Sequence, residues 1–177
     1  CRDGYTPQGT PKIYGNYIYV DTDERKYFTE TEHEILFTQT QYQPATSTDT
    51  EMDLSYFNHP VKSIHLVSGA AAGQKWYDEY TFGTSSLYIN GTALFENSSN
   101  VYHHNIVPQM HCTDLPDDVL DDLPTYSWPF CLSMSKSQPS GTLNFSRIDN
   151  AKLLVNNVSG GNNLHRVYAV NFNILRI

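Results

Sequence analysis

Three histidines and a cysteine lie close together near the middle of the chain and form its strongest candidate metal site. They are His103, His104, His111 and Cys112. Imidazole and thiolate suit zinc, so a zinc ion is the chemistry that this set can support. The spacing matches no common zinc pattern, and ordinary loop and strand histidines are the better interpretation. We therefore predict no metal ion and no other cofactor.

A serine nucleophile is the second chemistry to weigh, with Ser140, Asp149 and His165 as the candidate triad. The sequence lacks the GxSxG elbow, and nothing else marks one serine as activated. Ser140 stands between a proline and a glycine, which is the composition of a turn. We predict no catalytic residue and a protein that is not an enzyme.

An acidic segment, "DLPDDVLDDLP" at 114–124, is bracketed by prolines and reads as a short surface helix or an acidic loop. Its aspartates at 117, 118, 121 and 122 can attract calcium. They lack the alternating ligands and the closing glutamate of a calcium-binding loop. A solvated acidic face is therefore the preferred interpretation.

Four Asn-X-Ser/Thr sequons mark possible glycosylation sites, at Asn90, Asn97, Asn144 and Asn157. They matter only in a chain that enters a secretory lumen. No charged-then-apolar leader is visible, so chance occurrence in an Asn-, Ser- and Thr-rich chain is favoured.

Length and charge restrict the class of protein. The 177 residues suit one compact domain, and the net charge of −8 with scattered Lys and Arg argues against a nucleic-acid partner. No stretch approaches the roughly 20 apolar residues of a membrane span, so we expect a soluble chain. It opens at Cys1 and closes on "NILRI", and we expect that both ends were cut from a longer polypeptide.

The three cysteines, Cys1, Cys112 and Cys131, are too few and too odd in number for a disulfide framework. Free thiols are expected. A bridge between Cys112 and Cys131 is the alternative.

Short apolar runs ended by turn residues recur along the chain, which is typical of an all-β sandwich or barrel. We count seven or eight strands and at most two helical turns. The runs lie at 13–20, 33–43, 58–67, 85–96, 126–134, 150–157 and 166–177. The run at 85–96 is either one strand or a hairpin that turns at Asn90-Gly91.

Several local expectations follow from these runs. The run at 13–20 is apolar on both faces and is predicted to be a covered strand near the middle of a sheet. Asp21 or Asp23 is predicted to cap a single helical turn. Residues 45–53 are predicted to be a polar loop. In the last run, Tyr168, Val170, Phe172 and Ile174 are predicted to form the buried face.

The stretch "QPSGTLNFSRIDNA" at 138–151 predicts a turn at Pro139–Gly141, a short strand, and a bend near Ser146 and Arg147. On an extended chain Arg147 and Asp149 share a face, so they can pair with each other or with neighbouring strands. This is a structural role without a nucleophile.

Four segments of the chain resemble those of one family in order and spacing. "PSGTLNFSRIDNA" at 139–151 closely resembles the signature of the major capsid proteins of nucleocytoplasmic large DNA viruses, including the iridovirus, phycodnavirus and mimivirus-like groups. The other segments are "YIYVDTDERKYF" at 17–28, "FNHPVKSI" at 57–64 and "YAVNFNILRI" at 168–177. The motif residues are Asp21, Asp23, Glu24, Arg25, Asn58, His59, Pro60, Pro139, Ser140, Gly141, Asn144, Phe145, Ser146, Arg147, Asp149 and Asn150.

The resemblance implies a fold and an assembly. Residues 1–177 are expected to be a single jelly-roll domain, an eight-stranded antiparallel sandwich with short helical turns in its loops. It would be the second, carboxy-terminal jelly roll of a double jelly-roll subunit whose amino-terminal jelly roll is absent from this sequence. Such subunits trimerise into pseudo-hexagonal capsomers of an icosahedral shell. The acidic 114–124 segment and the "SGAAAGQKW" loop match nothing in the family pattern.

The implied partners are further copies of the chain in a homotrimer, neighbouring capsomers and minor capsid proteins. No direct nucleic-acid contact and no membrane insertion are expected. The location would be the outer capsid of a virion assembled in the host cytoplasm. Two rivals remain open: a carbohydrate- or receptor-binding jelly roll, and a cupin-like metalloenzyme, which the missing His and Glu cluster disfavours.

Overall fold

A computed structural model describes residues 12–45, 50–69, 81–112, 125–158 and 164–177. The chain divides into two compact units. One comprises residues 1–34 with 176–177, and the other comprises Ile35–Leu175. The larger unit contains almost all of the strand structure. The acidic segment 114–124 lies outside the described residues, so the choice between helix and loop stays open there.

The described strands form two sheets. In the first, the order is β1-β9-β3-β6, and a two-residue strand, β7, also pairs with β3. The second has the order β2-β8-β4-β5. The bounds are β1 Glu34–Ala45, β2 Glu51–Asp53, β3 Pro60–Gly69, β4 Thr84–Ile89, β5 Thr92–Ser99, β6 Thr125–Pro129, β7 Leu143–Asn144, β8 Ala151–Asn156 and β9 Leu164–Arg176.

Successive strands mostly alternate between the two sheets, which is how a jelly roll is connected. Apart from the short β7, each sheet takes four strands. The predicted fold class, an all-β eight-stranded antiparallel jelly roll with short helical segments, is therefore confirmed.

The core lies between the sheets and draws side chains from both. Ile64 and Trp128 come from the first sheet, and Leu87 and Leu153 come from the second; all four are buried. Cross-strand partners point to the same face, and Ile64 pairs with Trp128 on one side and Ala169 on the other. Burial of this apolar surface is the main force that holds the sheets together.

The hairpin alternative for residues 85–96 is correct. Strands β4 and β5 pair antiparallel, and Asn90 and Gly91 form the turn between them with φ values of 48° and 80°. Positive φ at both central residues is typical of a type I′ turn, whose twist matches that of the strands. Asn and Gly are the residues that adopt it most easily.

The covered strand predicted at 13–20 is not present. Residues 13–19, here called the aromatic arm, form no helix or strand. Its five large apolar side chains, Ile13, Tyr14, Tyr17, Ile18 and Tyr19, are 83–99% exposed. The prediction relied on apolar composition, which shows that a segment favours burial but does not identify the surface that covers it.

Two predictions about faces and loops are also corrected. In β9 the prediction holds for Phe172, which is buried, but Val167, Ala169 and Asn171 are buried as well, and Ile174 is exposed. The register with β3 places Ala169 beside the buried Ile64, so Tyr168 and Val170 are only partly buried. In the predicted polar loop, Met52 anchors strand β2 in the core.

Helical structure is more extensive than the two turns expected. Helix α1 spans Thr22–Glu30, a π-helix spans Tyr102–Ile106, helix α2 spans Val107–His111 and a 3-10 helix spans Phe145–Arg147. The π-helix and α2 are continuous, and together they contact β6, while the π-helix also contacts β5. They therefore lie where the edge strands of the two sheets meet.

Candidate functional site

Two of the segments that carry the family resemblance, 57–64 and 139–151, lie against each other. His59 donates its backbone N–H to the hydroxyl of Ser146 at 2.8 Å, across 87 residues of sequence. The N–H of Phe145 donates to the carbonyl oxygen of His59 at 3.0 Å. Strand β7 then pairs with β3, with Asn144 opposite Pro60. The structure therefore brings these two groups of motif residues into one junction.

The bend in this junction has a clear local cause. The side-chain oxygen of Asn144 accepts the N–H of Ser146 at 3.1 Å and begins the 3-10 helix. The ring of Phe145 is buried and packs edge-on against Phe57 at 6.3 Å. His59 supplies the matching corner with φ of 69°, an uncommon value for a residue with a side chain. The predicted bend near Ser146 and Arg147 is confirmed.

The turn at 139–141 is held by close backbone packing. Gly141 has φ of 142°, and a Cβ there would lie 2.7 Å from the carbonyl oxygen of Phe130. The hydroxyl of Ser140 accepts the N–H of Ser133 at 3.1 Å. Pro139 is exposed at the start of the turn. Ser140 is therefore a turn residue. Of the other two triad candidates, Asp149 is exposed, and the side chain of His165 lies outside the described residues.

The remaining residues of the 139–151 segment are held by the β4–β5 turn. The side-chain oxygen of Asn90 accepts the N–H groups of Asp149 and Asn150 at 3.2 and 3.1 Å. Asn90 also donates its own N–H to the carbonyl of Asn150 at 2.7 Å. The side chains of Arg147 and Asp149 are exposed.

The possible pairing of Arg147 and Asp149 is not among the ion pairs of the structure. Across the described ranges, two ion pairs form, Lys152–Glu51 at 3.3 Å and Arg176–Glu34 at 2.8 Å. Both pairs are substantially exposed, so they add little to stability.

Sequence reasoning missed a glutamine that joins three parts of the sandwich. Gln41 in β1 donates to the carbonyl of Asn58 at 2.7 Å and accepts the N–H of Asn58 at 3.1 Å. The same amide donates to the side-chain oxygen of Asn171 in β9 at 2.9 Å. The available signal was the alternation of Gln39, Gln41 and Gln43 along one face of β1.

The motif residues at 21–25 form a helix cap. Asp21 accepts the N–H of Thr22 at 2.7 Å, and Glu24 reaches back to the N–H of Asp21 at 3.2 Å. The side chain of Asp21 also accepts the backbone N–H of Glu24, which completes a capping box with the bond that Glu24 accepts from Asp21, and the acidic Asp23 and Glu24 favour the helix start. Asp21 is the cap of the two that were proposed. The helix runs on through Arg25 to Glu30, well beyond one turn.

The three histidines of the candidate metal site instead bind backbone carbonyl oxygens. We call residues 102–111 the histidine strap. The Nδ1 atoms of His104, His103 and His111 lie 3.0 Å from the carbonyl oxygens of Thr125, Ser127 and Cys131 respectively. A carbonyl can only accept, so each Nδ1 donates a hydrogen. In the described part of the chain, no three His, Cys, Asp or Glu side chains are grouped to hold a metal ion.

The histidine strap covers the outer edge of the first sheet. Phe130 donates its backbone N–H to the carbonyl of Lys62 in β3. In the stretch 125–131, the backbone N–H and C=O groups of every second residue therefore point toward β3. The carbonyls of Thr125, Ser127 and Cys131 point the other way, where an edge strand is open to pairing with another chain. Pro129 occupies an outward position too and has no N–H to offer. Imidazoles and a proline therefore protect this edge.

A polar cluster lies on the outer face of the same sheet. His65 contacts the hydroxyls of Ser63 and Ser127 at 2.8 and 2.9 Å. These residues line a cavity of about 270 Å³ that Pro108 and Cys112 also border. Burial, together with the charge of Lys62, lowers the pKa of His65 to about 4, so the ring is neutral at physiological pH.

The side chain of Lys62 is buried although it is charged. Its Nζ donates to the carbonyl of Lys136 at 2.8 Å and lies 5.6 Å from the centre of the Phe172 ring. The neighbouring Cys112 and Cys131 are free thiols, as expected. Burial raises the pKa of both thiols, so they stay protonated and weakly nucleophilic at neutral pH.

The four sequon asparagines, Asn90, Asn97, Asn144 and Asn157, are all exposed. Asn90, Asn97 and Asn157 have positive φ, which places them at turns or irregularities of the backbone. The aspartates considered for calcium lie outside the described residues. Among the helices that the structure describes, none has the length and apolar character needed to cross a bilayer.

Comparison with known proteins agrees with the family resemblance of the sequence. The model of the family described as "Large eukaryotic DNA virus major capsid protein" matches residues 24–177. The major capsid protein of Pyramimonas orientalis virus is 33% identical over 183 residues, covering 93% of this chain and 46% of that protein. The chain spans about half the length of the curated relatives it matches.

Solved structures show the same fold. A quasi-atomic model of the PBCV-1 virus capsid superimposes with a TM-score of 0.70 and 23% identity, covering 91% of this chain and 53% of that chain. The Faustovirus major capsid protein gives a TM-score of 0.66 and 16% identity, covering 90% of this chain and 36% of that chain.

Proposed function

This chain belongs to the major capsid protein family of the large eukaryotic DNA viruses, and we propose that it forms one jelly roll of a subunit of the outer capsid shell. The observation that carries the proposal is the family match over 24–177, which includes the whole described sandwich. The family also agrees with the prediction of a structural protein rather than an enzyme. The side chains that looked reactive in sequence hold backbone in place instead.

The chain corresponds in this proposal to the second of two jelly rolls in a longer subunit, with residues 1–177 assigned to it. Apart from the short β7, its eight described strands make up one two-sheet sandwich, and the chain spans about half of its relatives. The aromatic arm supports a further packing partner, because five large apolar side chains at 83–99% exposure favour burial in an assembly.

The subunit would form homotrimers with pseudo-hexagonal outlines, and these would contact neighbouring capsomers and minor capsid proteins in a virion assembled in the host cytoplasm. The net charge of −8 supports contacts with protein rather than with the nucleic acid. The protected edge of β6 supports assembly through loops and faces rather than through uncontrolled strand pairing.

The test is to express the full-length polypeptide that contains this chain and to measure its mass in solution by light scattering and its shape by electron microscopy. We expect a mass of three subunits and particles with three-fold symmetry and a hexagonal outline. A protein that stays monomeric at tens of micromolar, with no such particles, would contradict the proposal. A glycan array on the same sample tests the receptor-binding rival, which saturable binding would favour.

A further inference from the structure

The histidine strap and the strand it covers suggest a device that responds to acid. We propose that the strap is a releasable cover: at neutral pH it occupies the outer edge of β6, and protonation of His103 detaches it and opens that edge. This inference concerns the fold of the chain alone, and it stands whether or not the chain forms a trimeric capsomer.

The surroundings of His103 are the first argument. The ring is fully buried, with 0% exposure. Aromatic rings surround it, with centroid distances of 4.6 Å to Trp128, 5.2 Å to Tyr102 and 5.6 Å to Phe95. Nδ1 donates to Ser127, but Nε2 is buried without a hydrogen-bond partner among the described residues. A second proton would therefore place a charged N–H where no acceptor is described.

The charges near His103 do not offset this cost. Its own strap contributes Tyr102 and His104, β5 contributes Phe95 with the exposed neighbour Glu96, and β6 contributes Trp128 and Tyr126. From β3, His65 reaches the hydroxyl of the same Ser127 that His103 binds through its carbonyl, and Lys62 is the charge that acts on His65. No carboxylate in this set contacts the His103 ring.

The direction of the pH effect follows from burial. Burial lowers the pKa of His103 below its ordinary value of 6.5, although the hydrogen bond to Ser127 opposes this in part. The folded strap therefore takes up a proton less readily than the released strap. Its stability is fully present above pH 6.5 and is lost as the pH falls toward the lower pKa of the folded form.

The strap is also an element that can detach from the edge of β6 more easily than a strand can. Its π-helix and α2 have five residues each, far below the length at which a helix is stable alone. Three imidazole bonds and the contacts of His103 and Val107 hold it in place. Strand β6 keeps its pairing with β3 when the strap leaves, so an ordered edge with three free carbonyls remains.

Hydrogen exchange of this chain tests the proposal. Protection factors, corrected for the intrinsic rate at each pH, are measured at pH 7.5, 6.5 and 5.5 for the strap amides at 102–111 and for β8 at 151–156. We expect strap protection to fall by up to about tenfold between pH 7.5 and 5.5, as one proton is taken up per opening, while β8 protection holds. Constant strap protection, or an equal loss in β8, would overturn the proposal.

Matched variants locate the effect. His103→Asn keeps a donor near the position of Nδ1 and cannot be protonated, so its strap protection should become independent of pH in this range. His104→Asn makes the same change at the half-buried neighbour and should keep the tenfold fall. A fall that persists in His103→Asn would contradict the assignment to His103.

A measurement on the unmodified chain removes any dependence on how the variants fold. The imidazole nitrogen shifts of His103 in a 15N NMR titration should show the neutral ring at pH 6.5, and its protonation should coincide with the loss of strap protection. Protonation of His103 with the strap still protected would rule the device out.

Discussion

The aromatic arm and strand β6 are two short segments of similar composition with opposite environments. The arm carries Tyr and Ile side chains that are 83–99% exposed, whereas Trp128 in β6 is 0% exposed. Both segments are rich in residues that favour strands. The difference is that β6 pairs with β3, faces the second sheet and receives the histidine strap. Strand propensity thus shows that a segment favours pairing, and the partner decides whether it is buried.

The largest effect is expected when one aromatic side chain is truncated in each segment. Trp128→Ala should lower the free energy of unfolding by roughly 3–5 kcal/mol, because it leaves a cavity where the rings of Phe82 and His103 now pack. Tyr17→Ala in the arm should change it by less than about 0.5 kcal/mol. Urea denaturation followed by circular dichroism measures both, and similar losses would show that the arm is as well packed as β6.

A second test compares two glycines with positive φ, one in a packed place and one in an open place. Gly141→Ala should cost roughly 2–4 kcal/mol, because its Cβ would lie 2.7 Å from a backbone oxygen of Phe130. Gly91→Ala is the matched control, since no atom lies within 4 Å of its added Cβ. It should cost about 1 kcal/mol from backbone strain alone. Equal shifts in denaturation midpoint would contradict the role given to close packing at 139–141.

Acid should weaken the sandwich through His65. Its pKa of about 4 lies below the ordinary 6.5, so its contribution is fully present above pH 6.5 and is lost as the pH falls toward 4. We expect a loss of about 3 kcal/mol from this group between pH 7 and 4. Carboxylates also titrate near pH 4. The measurement is therefore the difference in free energy of unfolding between the wild type and His65→Gln, followed from pH 7 to pH 4. If the free energies of unfolding of the two proteins fall in parallel with pH, His65 is not the source of the acid sensitivity.

The smallest effect is expected at the junction of the two motif segments. Ser146→Ala removes the acceptor of the His59 N–H and should cost about 1 kcal/mol. Thr142→Ala, at an exposed position of the same segment, is the control and should be close to neutral. If thermal denaturation shows no difference between them, the hydrogen bond between Ser146 and His59 does not stabilise the junction.

The alternation of apolar residues was enough to predict most of the fold. It located β1, β3, β4, β5, β6, β8 and β9, and Asn90-Gly91 correctly marked a hairpin. The resemblance supplied the arrangement of these strands as a jelly roll. It also singled out the segments at 57–64 and 139–151, which the structure places side by side.

Other features depend on contacts that the sequence does not display. The buried face of β9 is set by its register with β3, so Ala169 points inward and Ile174 does not. The strap histidines bind backbone carbonyl oxygens. Every residue carries such an oxygen, so no sequence motif identifies which residues these histidines bind. Gln41 is similar, because its two partners lie 17 and 130 residues away.

The central position of β9 has a consequence for the order of synthesis. This last strand lies between β1 and β3, so the first sheet lacks an interior strand until residues 164–176 have left the ribosome. A nascent chain would expose two unpaired edges of that sheet until β9 has been made. Non-local pairing of this kind also folds slowly. Molecular chaperones that shield such edges are therefore expected to raise the yield of folded protein.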